Sequence, residues 1–407
     1  MAEARARQII IAGAGVAGLT AALSFAVRGH PVRIFERAQR LEEVGAGIQL
    51  SPNATRILDR LGVLSSLRQT AVRPDAVVLR DASSLAELGR VPLGAYAELR
   101  WKAPYLTAHR ADLQAALLAH VEREPGIELT TGATVRDIAP HPLGVSVVVD
   151  STGRTTTASG MMLVAADGVW SSLRRLTCAE PASRFSGQVA WRRTVRADSA
   201  AGRALAQAGV GGSVTAFLAP GFHLVTYPVR AGAALNIVAF TPGKAIGETW
   251  AGNLDIGILK RSMRRAAPAL LSLADDIAEW TVWPIHTVRA NAPWTTEQGI
   301  ALIGDAAHAM PPYAAQGAAM AIEDAEMLAG EVQAHPDSLK AALAAWETER
   351  RLRIERVARQ GRLNRFTWHA AGPAALARNL FLRTRRPEKL AARFDWLYGW
   401  TPPPLKL

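Results

Sequence analysis

A single cysteine, Cys178, stands in 407 residues. An intrachain disulfide is thereby excluded, as are cysteine-held zinc and iron–sulfur centres; no metal site is expected, and a reducing compartment suits the chain. No apolar stretch reaches the roughly 20 uninterrupted residues of a bilayer span, so no membrane association is expected. Arg5 and Arg7 precede an apolar run that begins at Ile9, but that run carries spaced glycines and continues to Glu36 without a convincing cleavage site, unlike a leader. A cytoplasmic protein is the expectation. Acidic charge is also in short supply, with 35 Asp and Glu against 47 Lys and Arg and a net charge of +12. Even so, there is no basic stripe interleaved with aromatics and no known nucleic-acid module. The dense arginine run from Arg350 to Arg365 reads as a solvated helix face with interspersed glutamates, and the positive field suits anionic small molecules. Disorder is excluded by 49% hydrophobic and 20% charged residues.

What is present begins at the N-terminus. Gln8 to Ala12 is a short apolar run of the kind buried on both faces of a parallel sheet. Gly13-Ala14-Gly15-Val16-Ala17-Gly18 follows, then a helix-like segment from Leu19 to Arg28, a Gly29-His30-Pro31 stop, and a second strand, Val32 to Phe35, ending at Glu36. Gly13 allows the tight turn, Gly15 lets the backbone approach a pyrophosphate, and Gly18 lets the helix pack closely on the strand. The helix N-terminus offers free N–H groups to phosphate oxygens, and Glu36 is placed to accept from ribose hydroxyls. Glycine-rich turns alone are common; the strand, helix and acid around this one make it a dinucleotide site. The fingerprint does not choose between FAD and NAD.

Three later segments add to it. Val44-Gly45-Ala46-Gly47-Ile48-Gln49 departs from a simple nucleotide domain, and Thr107 to Leu113 opens a helix near Arg110. The apolar run Met161 to Val164 leads into Ala166-Asp167-Gly168, and Ile300 to Ile303 leads into Gly304-Asp305, with His308, Pro311-Pro312 and Gln316-Gly317 beyond.

With these motifs in this order, the chain resembles the single-component FAD-dependent aromatic hydroxylases, the flavoprotein monooxygenase group that contains the salicylate, 3-hydroxybenzoate and p-hydroxybenzoate hydroxylases. The resemblance covers nearly the whole chain. It implies an α/β fold: a discontinuous Rossmann-like FAD-binding domain (residues 1–75, 100–180 and 290–335), a mixed β-sheet substrate domain (76–99 and 181–289), and a C-terminal helical region (336–407) whose segment from Ser338 to about Arg365 is one long helix. Strand candidates in the substrate domain include Val189-Ala190-Trp191, His223 to Tyr227 and Leu235 to Phe240.

The resemblance also assigns cofactor positions. Gly13, Gly15, Gly18 and Glu36, with the adjoining Ala17 and Arg37, would hold the ADP half of FAD. Arg110 and Asp305 would hold the pyrophosphate and ribityl regions, while Gly47, Ile48 and Gln49 would lie near the flavin. Asp167 is the acid of the Asp-Gly element, Pro312 would face the flavin edge, and Gly317 and Ala318 complete the set. No second G-x-G-x-x-G exists, so NADH or NADPH is expected as a transient co-substrate, together with O2 and a small aromatic substrate, in a monomer or homodimer.

In such enzymes the reduced flavin and oxygen form a hydroperoxide, and the protein supplies position, polarity and water exclusion. Electrophilic oxygen transfer is faster to a deprotonated phenol, so a base or acceptor beside the hydroxyl is needed. His223 and Tyr227 are the catalytic candidates: their even spacing puts both on one strand face, and His223-Leu224-Val225-Thr226-Tyr227-Pro228 resembles a stretch of the 3-hydroxybenzoate hydroxylases. Tyr105 is a further candidate lining residue, His308 a structural one, and Cys178 has no expected redox role. Met310-Pro311-Pro312 is apolar where some relatives place a polar residue on the substrate, which leaves the substitution pattern open. Other readings stay open here: the same chemistry on a hydroxypyridine or quinolone, a halogenase (Trp280 to Ile285 has the wrong spacing for that motif), and a non-catalytic FAD-scaffold binding protein.

Overall fold

The computed structural model describes residues 8–41, 46–142, 144–177, 183–245, 254–289, 291–402 and 404; Val44, Gly45 and Cys178 lie outside them. Strand β1 (Ile9–Ala12) is buried along its whole length. It leads into helix α1 (Val16–Ala26), and β2 (Val32–Glu36) returns parallel to β1 with Ile9 opposite Val32. β3 (Gly47–Leu50) leaves this sheet, and α2 (Pro52–Arg60) follows with proline in its first turn, where a missing N–H costs nothing. β4 (Ala76–Asp81) and β5 (Glu87–Pro92) form a hairpin. β6 (Leu106–His109) then pairs antiparallel with β3 and runs directly into α3 (Arg110–Val121).

β7 (Ile127–Thr131) joins the far side of β2. β8 (Ala133–His141), β9 (Gly144–Ser151) and β10 (Arg154–Gly160) form an antiparallel three-stranded sheet, and β11 (Met162–Ala165) joins the other side of β1. β12 (Arg184–Arg196), β13 (Val214–Ala219), β14 (Phe222–Val229), β15 (Ala234–Pro242) and β16 (Thr281–Thr287) make a seven-stranded sheet with the early hairpin, in the order β16-β12-β15-β14-β13-β4-β5. β17 (Thr295–Thr296) and β18 (Ile300–Leu302) close the first sheet, ordered β17-β18-β11-β1-β2-β7. The short α4 (Asp305–His308), then α5 (Gly317–Ala334), α6 (Leu339–Trp368) and α7 (Gly372–Thr384) follow. The fold is the expected α/β arrangement, with a mixed sheet facing a Rossmann-like one. The long helix is present too, capped by Ser338, whose hydroxyl accepts from the Ala341 N–H. Among the described residues no helix is long and apolar enough to cross a membrane.

Apolar burial explains the layers, since β1, β11 and β18 carry only buried residues and each buried Ile, Leu or Val side chain contributes about 1.5–3 kcal/mol. A polar cluster fixes how the layers meet. Arg350 on α6 donates from Nε to Asp324 Oδ1 at 2.8 Å and from Nη1 to Glu323 Oε2 at 2.6 Å, and all three side chains are fully enclosed. Arg353 donates to Glu323 Oε1 at 2.7 Å, and Asn53 at the start of α2 donates to the same oxygen at 2.7 Å. The other oxygen of Asp324, Oδ2, accepts from the Gly304 N–H at 2.9 Å and meets His308 Nε2 at 2.5 Å. His308 thus sits in the structural place expected of it.

This cluster corrects one expectation. The arginine run of α6 is not a uniformly solvated face: Arg350 is 0% exposed. The charges do follow helical spacing, but Glu323 and Asp324 on the neighbouring helix draw Arg350 inward, and Arg353 pairs with Glu323 as well.

Burial alone would push the Asp324 carboxyl up, yet His308, Arg350 and the Gly304 N–H outweigh it and hold the group down to about 2. A carboxyl depressed on folding contributes stability above its unfolded pKa near ~4, and loses it as pH falls through the folded value. Replacing Arg350 with methionine (Arg350→Met) leaves two buried carboxylates without their main cation. We expect a loss of about 3–5 kcal/mol in urea unfolding at neutral pH and an acid-unfolding midpoint moved to higher pH. A change in stability too small to resolve would contradict this role.

Candidate active site

The turn after β1 is built from backbone crowding. Gly13 has φ +105°, and a Cβ there would lie 2.5 Å from the Ala166 carbonyl oxygen. A Cβ on Gly18 would lie 1.9 Å from the Gly13 oxygen, so helix and turn touch through bare backbone. Around Gly15 the reverse holds, because a Cβ would meet nothing within 4 Å. Helix α1 starts at this open side with no side-chain cap and no acid in its first turn, leaving N–H groups free for an anion. Glu36 holds the turn from β2, its two oxygens accepting from the Ala14 N–H at 2.7 Å and the Ala38 N–H at 2.8 Å. A carboxylate keeps further acceptor positions after two such bonds.

At the other end, the β3–β6 pair brings Gly47 against the large sheet. The Gly47 N–H donates to Asn236 Oδ1 at 2.7 Å, and a Cβ there would lie 2.5 Å from Asn236 Cγ and 2.6 Å from the Tyr227 ring. Gln49 accepts from the Tyr105 hydroxyl at 2.8 Å. The Arg110 N–H donates to the Ala46 carbonyl at 2.8 Å, anchoring the α3 start beside β3. Asp167, after β11, accepts from the Leu173 N–H on Oδ2 at 3.2 Å. Its Oδ1 is buried without a hydrogen-bond partner, and burial pushes its carboxyl up. Asp305 opens α4, after a Gly304 with φ +59°.

Many of these groups surround one cavity of about 970 Å³. Gly13, Gly15, Ala17, Glu36, Arg37, Gly47, Ile48, Gln49, Arg110, Asp167, Asp305, Pro312, Gly317, Ala318, His223 and Tyr227 line it. Gly18 does not, and acts only through its packing against Gly13.

His223 and Tyr227 lie on β14, a strand buried on both faces. His223 stacks on Phe240 with centroids 4.5 Å apart and planes at 11°. Its Nδ1 is 2.8 Å from His369 Nε2. Burial, then the neighbouring His369, hold the His223 pKa well below the usual imidazole value. Burial pushes the Tyr227 hydroxyl up, against the lowering pull of Arg192 and Gln49.

Sequence reasoning missed Arg192. It follows the strand triplet Val189-Ala190-Trp191, and its guanidinium stacks on Trp283 at 4.0 Å while facing the cavity. Nε has no hydrogen-bond partner, and burial lowers its pKa to about 10, with the Tyr227 hydroxyl and the charges of Arg110 and Asp305 nearby. The available signal was faint: a cation directly after the apolar triplet Val189-Ala190-Trp191, on a strand that carries three further arginines. Also missed were the wall residues from the C-terminal helices, among them Trp368, Ala377, Arg378 and Phe381, since a helix pattern does not say which sheet the helix covers.

A family model described as an FAD binding domain matches residues 6–361. The chain is 33% identical over 396 residues to 3-hydroxybenzoate 6-hydroxylase 1 of Aquipseudomonas alcaligenes, covering 96% of this chain and 97% of that one. It is 33% identical over 405 residues to 3-amino-4-hydroxybenzoate 2-monooxygenase of Streptomyces cremeus, covering 97% and 95% respectively. Among solved structures, a variant of HpxO from Klebsiella pneumoniae complexed with FAD superposes with a TM-score of 0.81 at 25% identity, covering 96% of this chain and 98% of that one.

The geometry fits FAD. Open space stands before Gly15 and the uncapped α1 terminus, where a pyrophosphate belongs, and a buried unpartnered carboxylate oxygen on Asp167 lines the same cavity. Substituting Gly13→Ala adds a left-handed-region penalty of about 1–2 kcal/mol to a backbone clash. We expect flavin affinity to fall by about tenfold or more, measured as flavin absorbance per mole of purified protein and by FAD titration. Full flavin content in this variant would rule out the tight turn as the phosphate cradle.

Proposed function

This chain belongs to the FAD-binding-domain family of flavin-dependent aromatic hydroxylases, and from that premise we propose that it hydroxylates a small aromatic acid bearing a phenolic hydroxyl, such as a hydroxybenzoate or salicylate, using NADH or NADPH and O2. The observation that carries the proposal is the placement of His223 and Tyr227 together on β14, both lining the cavity that holds Gly47 to Gln49 and Pro312. The names of the relatives, which act on hydroxylated and aminated benzoates, point the same way.

FAD, when bound, accepts reducing equivalents from the nicotinamide nucleotide and activates oxygen for insertion into the ring. Gly13, Gly15, Ala17, Glu36 and Arg37 would hold its ADP half. Arg110, Asp167 and Asp305 would hold the central portion, and Gly47, Ile48, Gln49, Pro312, Gly317 and Ala318 the flavin end.

The remaining work falls to the substrate wall. His223 is neutral at physiological pH because burial disfavours its cation. With Nδ1 engaged by His369, Nε2 is the nitrogen left to accept the proton of a phenolic hydroxyl. Tyr227 stays protonated over the same range and can donate to the resulting phenolate. Arg192, on β12 of the same sheet, supplies fixed positive charge that favours an anionic ring. Val225, Val238, Phe240 and Trp368 line the apolar sides and exclude water, which strengthens these polar contacts.

Purified, FAD-saturated protein is expected to oxidise NADH or NADPH faster in the presence of salicylate or a hydroxybenzoate, with hydroxylated product matching nucleotide consumed. His223→Ala should keep its flavin and lose about 10²–10⁴-fold in product formation; Tyr227→Phe should lose less. Stimulation by hydroxypyridines alone would move the substrate class, and no stimulation by any ring would overturn the proposal.

A further inference from the structure

Resting on the proposal that His223 takes the substrate's phenolic proton, we propose that His369 is its relay partner and carries that proton from the buried site to solvent at the end of α6. His369 comes from a different part of the chain, at the C-cap of α6, where its backbone N–H donates to the Arg365 carbonyl at 3.2 Å. Its Nε2 lies 2.8 Å from His223 Nδ1, within the range of a direct imidazole–imidazole hydrogen bond. The contact is held on both sides. Phe240 stacks on the His223 ring, Trp368 meets it edge-on at 5.1 Å, and Tyr313 lies 5.4 Å away.

A relay follows from what the surroundings lack. His223 is 1% exposed, and a buried imidazolium needs a nearby carboxylate to offset its desolvation. Among the described residues none touches either histidine. The titratable and charged groups around the pair are Tyr313 on the turn before α5, Arg365 on α6, and Arg378 on α7, which donates to the Thr367 and Trp368 carbonyls. Two of these three are cations, so a proton is unfavourable on either ring. Burial and then Arg365 lower the His369 pKa to about 4.

The lower-energy route transfers protons without storing one. The substrate O–H bond breaks as an N–H bond forms at His223 Nε2. The His223 Nδ1–H proton passes to His369 Nε2, and the His369 Nδ1–H proton leaves to water. Each ring gains one proton and gives one up, both stay neutral, and the phenolate keeps the electron pair of its O–H bond. His369 is half-buried and the residues just beyond it, Ala371 to Ala374, are exposed, so the outlet is short. A second imidazole in direct contact with the first, near the solvent edge, has no packing role that an apolar residue of similar size could not fill.

The test reads ionisation rather than turnover. In FAD-loaded enzyme without nucleotide, the absorbance of bound 3-hydroxybenzoate or salicylate reports phenol deprotonation after a rapid pH jump. His369→Gln keeps a hydrogen-bonding side chain but cannot pass a proton. We expect it to slow deprotonation about tenfold or more, to make the rate depend on buffer concentration, and to leave flavin content and substrate Kd near wild type. If the glutamine variant folds poorly, His369→Ala with added imidazole serves instead, and imidazole should restore the rate. An unchanged rate and solvent isotope effect in a folded variant would overturn the relay. His223→Ala separates the two ideas: if it too leaves ionisation unchanged, the assignment of His223 falls, whereas loss of ionisation in His223→Ala alone removes only His369.

Discussion

The cavity keeps its shape because two adjacent carboxylates on α5, Glu323 and Asp324, are buried and must be satisfied. Desolvating a carboxylate costs several kcal/mol, and only close cations and N–H donors offset it. The protein meets that demand from four directions: Arg350 and Arg353 from α6, Asn53 from α2, His308 from α4 and the Gly304 N–H from the turn after β18. Three of these partners carry a neighbour towards the cavity. Gly304 brings Asp305, Asn53 brings the β3 segment through Ser51, and Arg350 fixes the helix that ends at His369. Ser51 and Asn53 also meet Gln316 at the start of α5, so the β3 segment and α5 share one anchor. Slackening any one of these bonds would misplace groups well away from it.

Backbone proximity does the equivalent work at the nucleotide end. Gly13 and Gly18 approach so closely that the space for a Cβ is already filled by carbonyl oxygens. The same crowding recurs at Gly47, this time against Asn236 and Tyr227 of the large sheet. That second contact joins the two sheets, because Gly47 belongs to the β3–β6 pair and Tyr227 to β14. The distance between the β3 backbone and β14 is therefore set by contact of a glycine with a tyrosine ring. Ribbons that meet this closely have little freedom to move apart.

How much of this was legible follows from what a linear pattern can encode. Apolar runs ending in Gly-x-Gly, Asp-Gly and Gly-Asp located β1, β11 and β18 to within a residue or two, because burial on both faces leaves a plain apolar signature. The groups gathered around the cavity were legible where a motif stands at a strand's end, as with Gly13, Asp167 and Asp305. What could not be read was pairing between distant elements. Arg350 looked solvated because its own helix carries glutamates; the acids that bury it lie on α5. Arg192 looked like an ordinary strand cation because its partner ring, Trp283, comes from β16. His369 offered no pattern at all, and its significance comes only from meeting β14.

The burial of β14 explains why these missed residues matter. A strand covered on both faces can present a histidine to an apolar ring only in its neutral form, since no water remains to solvate the cation. Neutrality makes His223 a proton acceptor and also a poor place to keep a proton. The conflict is sharper here than for an exposed base, because Arg192, Arg365 and Arg378 make the surroundings net positive. That positive field favours a phenolate over a phenol in the cavity and at the same time disfavours imidazolium on its wall. Both preferences drive the proton outward, and among the described residues the polar contact leading that way from His223 is the 2.8 Å bond to His369. In the proposed reaction, substrate activation and proton export are thus two consequences of one charge distribution.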